Sequence, residues 1–146
     1  RLVDMGMDPF NFADALLGIL AQRLVKTLCK KCKAPYRPSR EEYDHLRQRY
    51  GPLFDKRLKI PYSEKLKLYK AVGCKDCQNT GYRGRMGLYE LLTASGALKK
   101  MIIQRASVEE IRVQAMREGM TTLMQEGIYQ IFRGNTDLKQ VVSVCA

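Results

Sequence analysis

Apolar positions give this chain its first outline. Asp8-Pro9 reads as a helix entry, with Asp as the N-cap and Pro at the first helical position. Phe12, Leu16, Ile19, Leu20 and Leu24 then recur at three-to-four spacing. That spacing predicts one helix with a buried face and a thin polar side, central to a larger core. Residues 24–28 read as a short strand leading to Cys29. Residues 33–73 break the pattern and read as an insertion. Within it "APYRPS" is a loop, and Ser39 with Glu42 forms a capping box that opens the charged helix "REEYDHLRQRY". Gly51-Pro52 stops that helix. Residues 53–72, with Pro61 inside, predict irregular structure or short strands. "RMGLYELL" predicts a strand with Leu88, Glu90 and Leu92 on one side and Tyr89 and Leu91 on the other.

Four helical patterns close the chain: "GALKKMIIQR", "VEEIRVQAMREG" capped by Ser107 with Glu110, "TLMQEGIYQIFRG" capped by Thr122 with Gln125, and "DLKQVVSV". Their short connections predict a compact helical subdomain over 94–146 in which consecutive helices are neighbours. The fold class is mixed and mainly α. No apolar run approaches the roughly 20 residues needed to span a bilayer. The opening "RLVDMGMDPF" shows no leader pattern and reads as the middle of a longer chain, so a fragment of a larger protein is expected.

Charge changes the picture in one place. The net formal charge of +11 is spread as −1 over residues 1–25, +10 over 26–75 and +2 over 76–146. A segment this basic can meet nucleic acid, anionic lipid or an acidic protein face, or it can be a solvated surface that also balances a local negative centre. Tyr36, Tyr43, Tyr50, Tyr62, Tyr69 and Tyr82 run through or beside it, either as base-stacking platforms or as packing for the insertion.

The negative centre is supplied by cysteines. Cys29 and Cys32 form one C-x2-C pair, and Cys74 and Cys77 form a second, with residues 33–73 between them. Each turn brings two sulfurs to one side, and two such turns complete a tetrahedral thiolate site suited to structural Zn²⁺. Disulfides and an iron–sulfur or redox role are the alternatives. Four thiolates leave no open coordination position, which argues against a catalytic metal. Lys30, Lys31, Lys33 and Lys75 flank the pairs and favour the charged thiolates. The metal then clips the base of the insertion, aligning the end of "QRLVKTL" with the start of "RMGLYELL". Cys145 reads as a small apolar helix residue and His45 as a solvated one. "TGYRGRMG" lacks the pattern of a phosphate loop, which appears nowhere in the chain, so its glycines are read as the turn leaving the metal. With a single His, nucleophilic catalysis has no residue set.

"LLGILAQRLVKTLCKKCK", "GCKDCQNTGYRGRMGLYELL" and "GMTTLMQEGIYQIFRGNTDLKQVV" resemble the C-terminal part of the type II secretion and type IV pilus assembly ATPases, the GspE/PilB group. The opening "RLVDMGMDPF" resembles the segment just after that family's histidine box. The resemblance implies a parent that is a homohexameric ATPase in the bacterial cytoplasm, peripheral at the inner membrane through partner proteins. Its RecA-like domain would use ATP and Mg²⁺ to drive pilus or pseudopilus assembly through an inner-membrane platform protein. It further implies that residues 1–28 and 85–93 are the C-terminal edge of that RecA-like α/β domain. Residues 29–84 would be a tetracysteine zinc-binding subdomain carrying the basic insertion 33–73, and 94–146 the helical subdomain. The family's ligands carry over to Cys29, Cys32, Cys74 and Cys77. Arg23 matches a basic position of the "QRL" motif at the nucleotide or a subunit interface. The chain itself, without a phosphate loop or an acidic Mg²⁺ pair, is expected to be no enzyme alone. The insertion is longer than the usual family form, and "LKQVVSVCA" lacks the acidic pair of "LEEVLRVT". Two other readings compete: a stand-alone basic zinc module that binds nucleic acid, and a protein-binding module, since "CKDCQNTG" is similar to the cysteine-rich repeats of J-type chaperones.

Overall fold

The structure is a computed structural model that describes Gly6 and residues 8–145. Among these residues it is mixed α/β, with seven helices and two two-stranded sheets. The chain divides into two compact units: residues up to Ala21 with Glu90–Thr122, and Gln22–Tyr89 with Leu123–Ala146.

In the first unit, helix α1 (Pro9–Ala15) starts as the sequence predicts, with the Asp8 side chain accepting from the Phe10 amide at 3.0 Å. It does not continue. Leu16 turns extended, and strand β1 (Gly18–Leu28) includes the strand expected at 24–28 and replaces the expected helical run before it. The physical reason is backbone pairing with strand β4 (Tyr82–Thr93), a long-range partner that periodicity cannot reveal. Hydrogen bonds from Ala94 N to Leu17 O at 3.0 Å and from Cys29 N to Gly81 O at 2.9 Å bracket the ladder and make it antiparallel. The periodic apolar residues accordingly lose their common face. Ile19 is 50% exposed, Leu20 59% and Leu24 50%, against the buried face the spacing predicts. Helices α4 (Gly96–Ile103) and α5 (Val108–Arg117) belong to the same unit, each opened by a serine cap, Ser95 and Ser107. Leu98 and Ala115 bury their side chains there.

The second unit holds the main apolar core. Helix α2 (Arg40–Tyr50) opens at Ser39, whose hydroxyl accepts from the Glu42 amide at 3.1 Å. Only half of the predicted reciprocal box forms, because the Glu42 carboxylate instead accepts from the Tyr36 hydroxyl at 2.6 Å. Tyr43, Leu46 and Tyr50 lie at three- and four-residue intervals and are buried. Helix α3 (Phe54–Leu58) falls where irregular structure or short strands are expected. Its Phe54 packs against Tyr43, Tyr50 and Phe132, with ring centroids 5.8, 5.7 and 5.5 Å apart. Phe132 belongs to helix α6 (Leu123–Phe132), so the insertion is part of the core rather than an appendage. Strands β2 (Ala34–Tyr36) and β3 (Leu68–Lys70) pair antiparallel with Pro35 opposite Tyr69, closing the base of the insertion. Helix α7 (Leu138–Cys145) packs on α6 through Val141, which is buried in the same cluster as Val25 and Leu88. Cys145 sits half-buried at its end.

Candidate metal centre

Each thiol is placed by a tight turn at the foot of the ladder. Cys29 comes directly after the last residue of β1, and its carbonyl accepts from Lys33 N at 2.9 Å, folding the chain so that Cys32 returns toward it. The second pair lies on a 3₁₀ turn over Lys75–Cys77, entered from an extended Cys74. The Thr80 hydroxyl donates to the Cys77 carbonyl at 2.7 Å and tightens the exit toward β4. An exposed ion pair, Lys31 to Asp76 at 3.8 Å, ties one turn to the other and contributes little.

The four sulfurs converge. All lie within 4.8 Å of one another, with Cys29 to Cys74 at 3.8 Å, Cys32 to Cys77 at 3.7 Å and Cys74 to Cys77 at 3.8 Å. No pair is at disulfide distance, near 2.05 Å, and all five cysteines are free. A tetrahedron with Zn–S bonds of about 2.3 Å has edges of about 3.8 Å, so the cluster has the size of one metal with four thiolates. Cys29 and Cys77 are buried, and Cys32 and Cys74 are partly open.

The electrostatic support comes from backbone amides. Gly73 N donates to Cys32 Sγ at 3.3 Å, and Cys74 N and Gly81 N both donate to Cys77 Sγ at 3.2 Å. Burial pushes the Cys77 thiol up, but those two amides and bonds from the Cys32 and Cys74 thiols outweigh it and hold the group down at about 6. Burial pushes the Cys32 thiol up to about 11, against the single lowering bond from Gly73. Two of the lysines that the sequence places beside the pairs, Lys31 and Lys33, have other partners. Lys31 meets Asp76, and Lys33 donates to the Gly134 carbonyl at 2.8 Å. The amide cradle is not legible in the sequence, because any residue supplies an N–H and only the turn aims it.

Gly81 shows how closely the site is built. Its φ is +84°, and an added Cβ would lie 2.6 Å from the Ala71 Cβ and 3.2 Å from the Val72 nitrogen. Gly81→Ala is therefore expected to cost about 2 kcal/mol or more, from left-handed backbone strain and overpacking together. Urea denaturation of the metal-loaded protein measures it.

The other sequence-predicted residues stand apart from the cluster. Arg23 is exposed on β1, and its Nη1 donates to the Gln22 carbonyl at 2.8 Å. His45 is exposed on α2 and accepts from Arg49 Nε at 3.0 Å. The tyrosines of the basic segment are engaged within the fold: Tyr43 and Tyr50 are buried. The Tyr62 hydroxyl donates to the Pro38 carbonyl at 3.0 Å, Tyr82 donates to the Asp137 carboxylate, and Lys33 Nζ lies 4.5 Å over the Tyr69 ring. They pack the insertion rather than present a row of stacking platforms, so of the two features that favoured nucleic acid only the basic charge of residues 26–75 stands. No helix among the described residues is long and apolar enough to cross a membrane.

Four thiols converge on one metal-sized point, held by two amide-rich turns at the root of a folded insertion, an arrangement that could hold a metal ion. A model of the type II/IV secretion system protein family matches residues 1–143. Over 99% of its length the chain is 40% identical to the type II secretion system ATPase E of Vibrio cholerae, covering 26% of that protein. It is 37% identical over 98% of its length to the type IV pilus assembly ATPase PilB of Thermus thermophilus, covering 15%. With the type IV pilus assembly ATPase TfpB of Acinetobacter baylyi the identity is 36% over 99% of the chain and 23% of the relative. The chain belongs to the type II/IV secretion system protein family. It spans about a quarter or less of the length of these curated relatives.

Proposed function

We propose that this chain is the zinc-stabilised C-terminal part of a motor ATPase that drives pilus or pseudopilus assembly and the secretion coupled to it. The parent would bind and hydrolyse ATP with Mg²⁺ in a RecA-like domain and work as a homohexamer. It would lie in the bacterial cytoplasm against the inner membrane, acting on a platform protein there. Family membership and the names of the relatives support this reading. So do the apolar side chains left open along β1 and β4, including Ile19, Leu20, Tyr89 and Leu91, which suit strands completed by more of a larger α/β domain. In this reading residues 1–28 and 85–93 are the edge of the RecA-like domain, and 29–84 are the metal subdomain with its insertion 33–73. Residues 94–146 are the C-terminal helices, of which α6 and α7 fold with the metal subdomain. Arg23 is assigned to the nucleotide or a subunit interface on its exposure on β1 and the motif it belongs to.

The observation that carries the role of this chain is the set of sulfur separations of 3.7–3.8 Å. They fit Zn²⁺ held by Cys29, Cys32, Cys74 and Cys77 with no position left for substrate, so the metal is structural. Its task is to hold the ends of β1 and β4 together under an insertion that nucleotide-driven motions of the parent can push against. Elemental analysis of the full-length protein is expected to find one zinc per chain. The double substitution Cys74→Ser, Cys77→Ser is expected to abolish pilus or secretion assembly in complemented cells. Iron in place of zinc would overturn the metal assignment, and intact assembly in the double variant would overturn the structural role.

A further inference from the structure

The turn between α6 and α7, residues 134–137, is bonded to both sides of the first cysteine pair. Before Cys29, Leu28 N donates to the Asn135 carbonyl at 2.9 Å, and the Thr136 hydroxyl donates to the Lys26 carbonyl at 2.8 Å. After Cys32, Lys33 Nζ donates to the Gly134 carbonyl at 2.8 Å. Beyond the second pair, the Tyr82 hydroxyl donates to the Asp137 carboxylate, which also accepts from Gln140 N at 3.0 Å and so caps α7. Burial and the Asp137 bond both raise the Tyr82 pKa, which keeps its hydroxyl a donor. Thr136 is 0% exposed. Gly134 has φ +81°, and a Cβ there would lie 2.7 Å from the Tyr69 ring, the same ring that Lys33 covers. Every residue of the turn is thus held by the strand ends or loop that the metal would fix.

We propose that Lys33, Tyr82 and Thr136 are positioning residues that couple the metal centre to α7, so that metal occupancy sets the docking of the last helix and docking of that helix tightens the metal. The inference rests on the metal-binding reading above. Its physical basis is that the Lys26 and Leu28 backbone groups are aligned with the turn only while β1 ends against Cys29, and Lys33 reaches Gly134 only while the chain from Cys29 to Cys32 is folded back. Loss of the metal removes what holds both pieces in register. Coupling of this kind is reciprocal: a change at the turn weakens metal binding by the same factor by which metal removal loosens the turn.

Two measurements on the full-length protein test it. The first is hydrogen exchange with and without bound Zn²⁺. Amides of α7 are expected to exchange at least tenfold faster after a strong chelator removes the metal, while those of α4 in the first unit stay unchanged. The second is Zn²⁺ affinity by competition with a chromophoric chelator. Thr136→Val, which keeps shape and loses the donor, is expected to weaken Zn²⁺ binding about tenfold, and Thr136→Ser to restore it. Lys33→Met supplies an independent variant with an expected loss in the same direction. A protein that binds one Zn²⁺ yet shows identical α7 exchange in both states overturns the coupling and leaves the metal reading standing. A protein that takes up no Zn²⁺ overturns both.

Discussion

The melting temperature of the full-length protein's transition that includes residues 22–89 is expected to rise with free Zn²⁺, and in the Cys74→Ser, Cys77→Ser variant to be independent of it. A ligand that binds only the folded state adds RT ln(1 + [L]/Kd), about 4.1 kcal/mol when its free concentration is 1,000 times Kd. Apparent binding energies of structural zinc sites run to about 10 kcal/mol and more, comparable with the whole stability of a domain. Here two of the four thiols, Cys29 and Cys77, are buried, and Cys77 is already aligned by two amide donors. Without the metal each turn keeps its own bonds, Lys33 N to the Cys29 carbonyl and the Thr80 hydroxyl to the Cys77 carbonyl, but the two turns are tied to each other by little more than the Cys29 N to Gly81 carbonyl bond, the weak Gly73 N to Cys32 sulfur bond and the exposed Lys31 to Asp76 pair. Differential scanning calorimetry at several buffered zinc levels reads the effect. A zinc-independent transition in the unsubstituted protein would contradict it.

Phe54→Ala is expected to destabilise the second unit by about 3–5 kcal/mol, the range for truncating a buried phenylalanine. Phe54 is 1% exposed and touches three rings on two helices: Tyr43 and Tyr50 on α2 and Phe132 on α6. Its removal leaves a cavity between two helices whose backbones are fixed by other contacts, including the Gln125 side-chain amide donating to the Tyr50 carbonyl at 3.0 Å. Collapse into the space is therefore limited, and the cavity cost persists. Urea denaturation is expected to show a lower midpoint with an unchanged slope. Phe10→Ala, at a side chain 65% exposed, serves as the control and is expected to change stability by no more than about 0.5 kcal/mol. Equal effects of the two would mean that the insertion is not part of the core.

Much of the candidate metal centre is legible from spacing alone. Two C-x2-C pairs need only local turns to present two sulfurs each, so Cys29, Cys32, Cys74 and Cys77 can be grouped without a structure, and the geometry brings them together. Helix starts are equally local: Asp8, Ser39, Ser95 and Ser107 each satisfy an amide two or three residues on, and each opens a helix. Of these, only Ser95 does not emerge from the sequence pattern. Helix α3 does not emerge either, since five residues opened at Leu53 with no side-chain cap give periodicity nothing to detect.

What the sequence by itself determined is therefore the part governed by neighbours a few residues apart: the caps, most helices, the paired cysteines, and the family the motifs carry. Tertiary structure decided the rest. It extended the strand expected at 24–28 back to residue 18, because the partner that satisfies its backbone lies at 82–93. It gave the Glu42 carboxylate to Tyr36 and sent the Lys33 ammonium to Gly134, 101 residues on. It also joined α6 and α7 to the unit that carries the four cysteines and α4 and α5 to the other unit. Hydrogen bonds and apolar contacts between distant segments form only when the whole chain has folded, and no local pattern records which distant group will arrive.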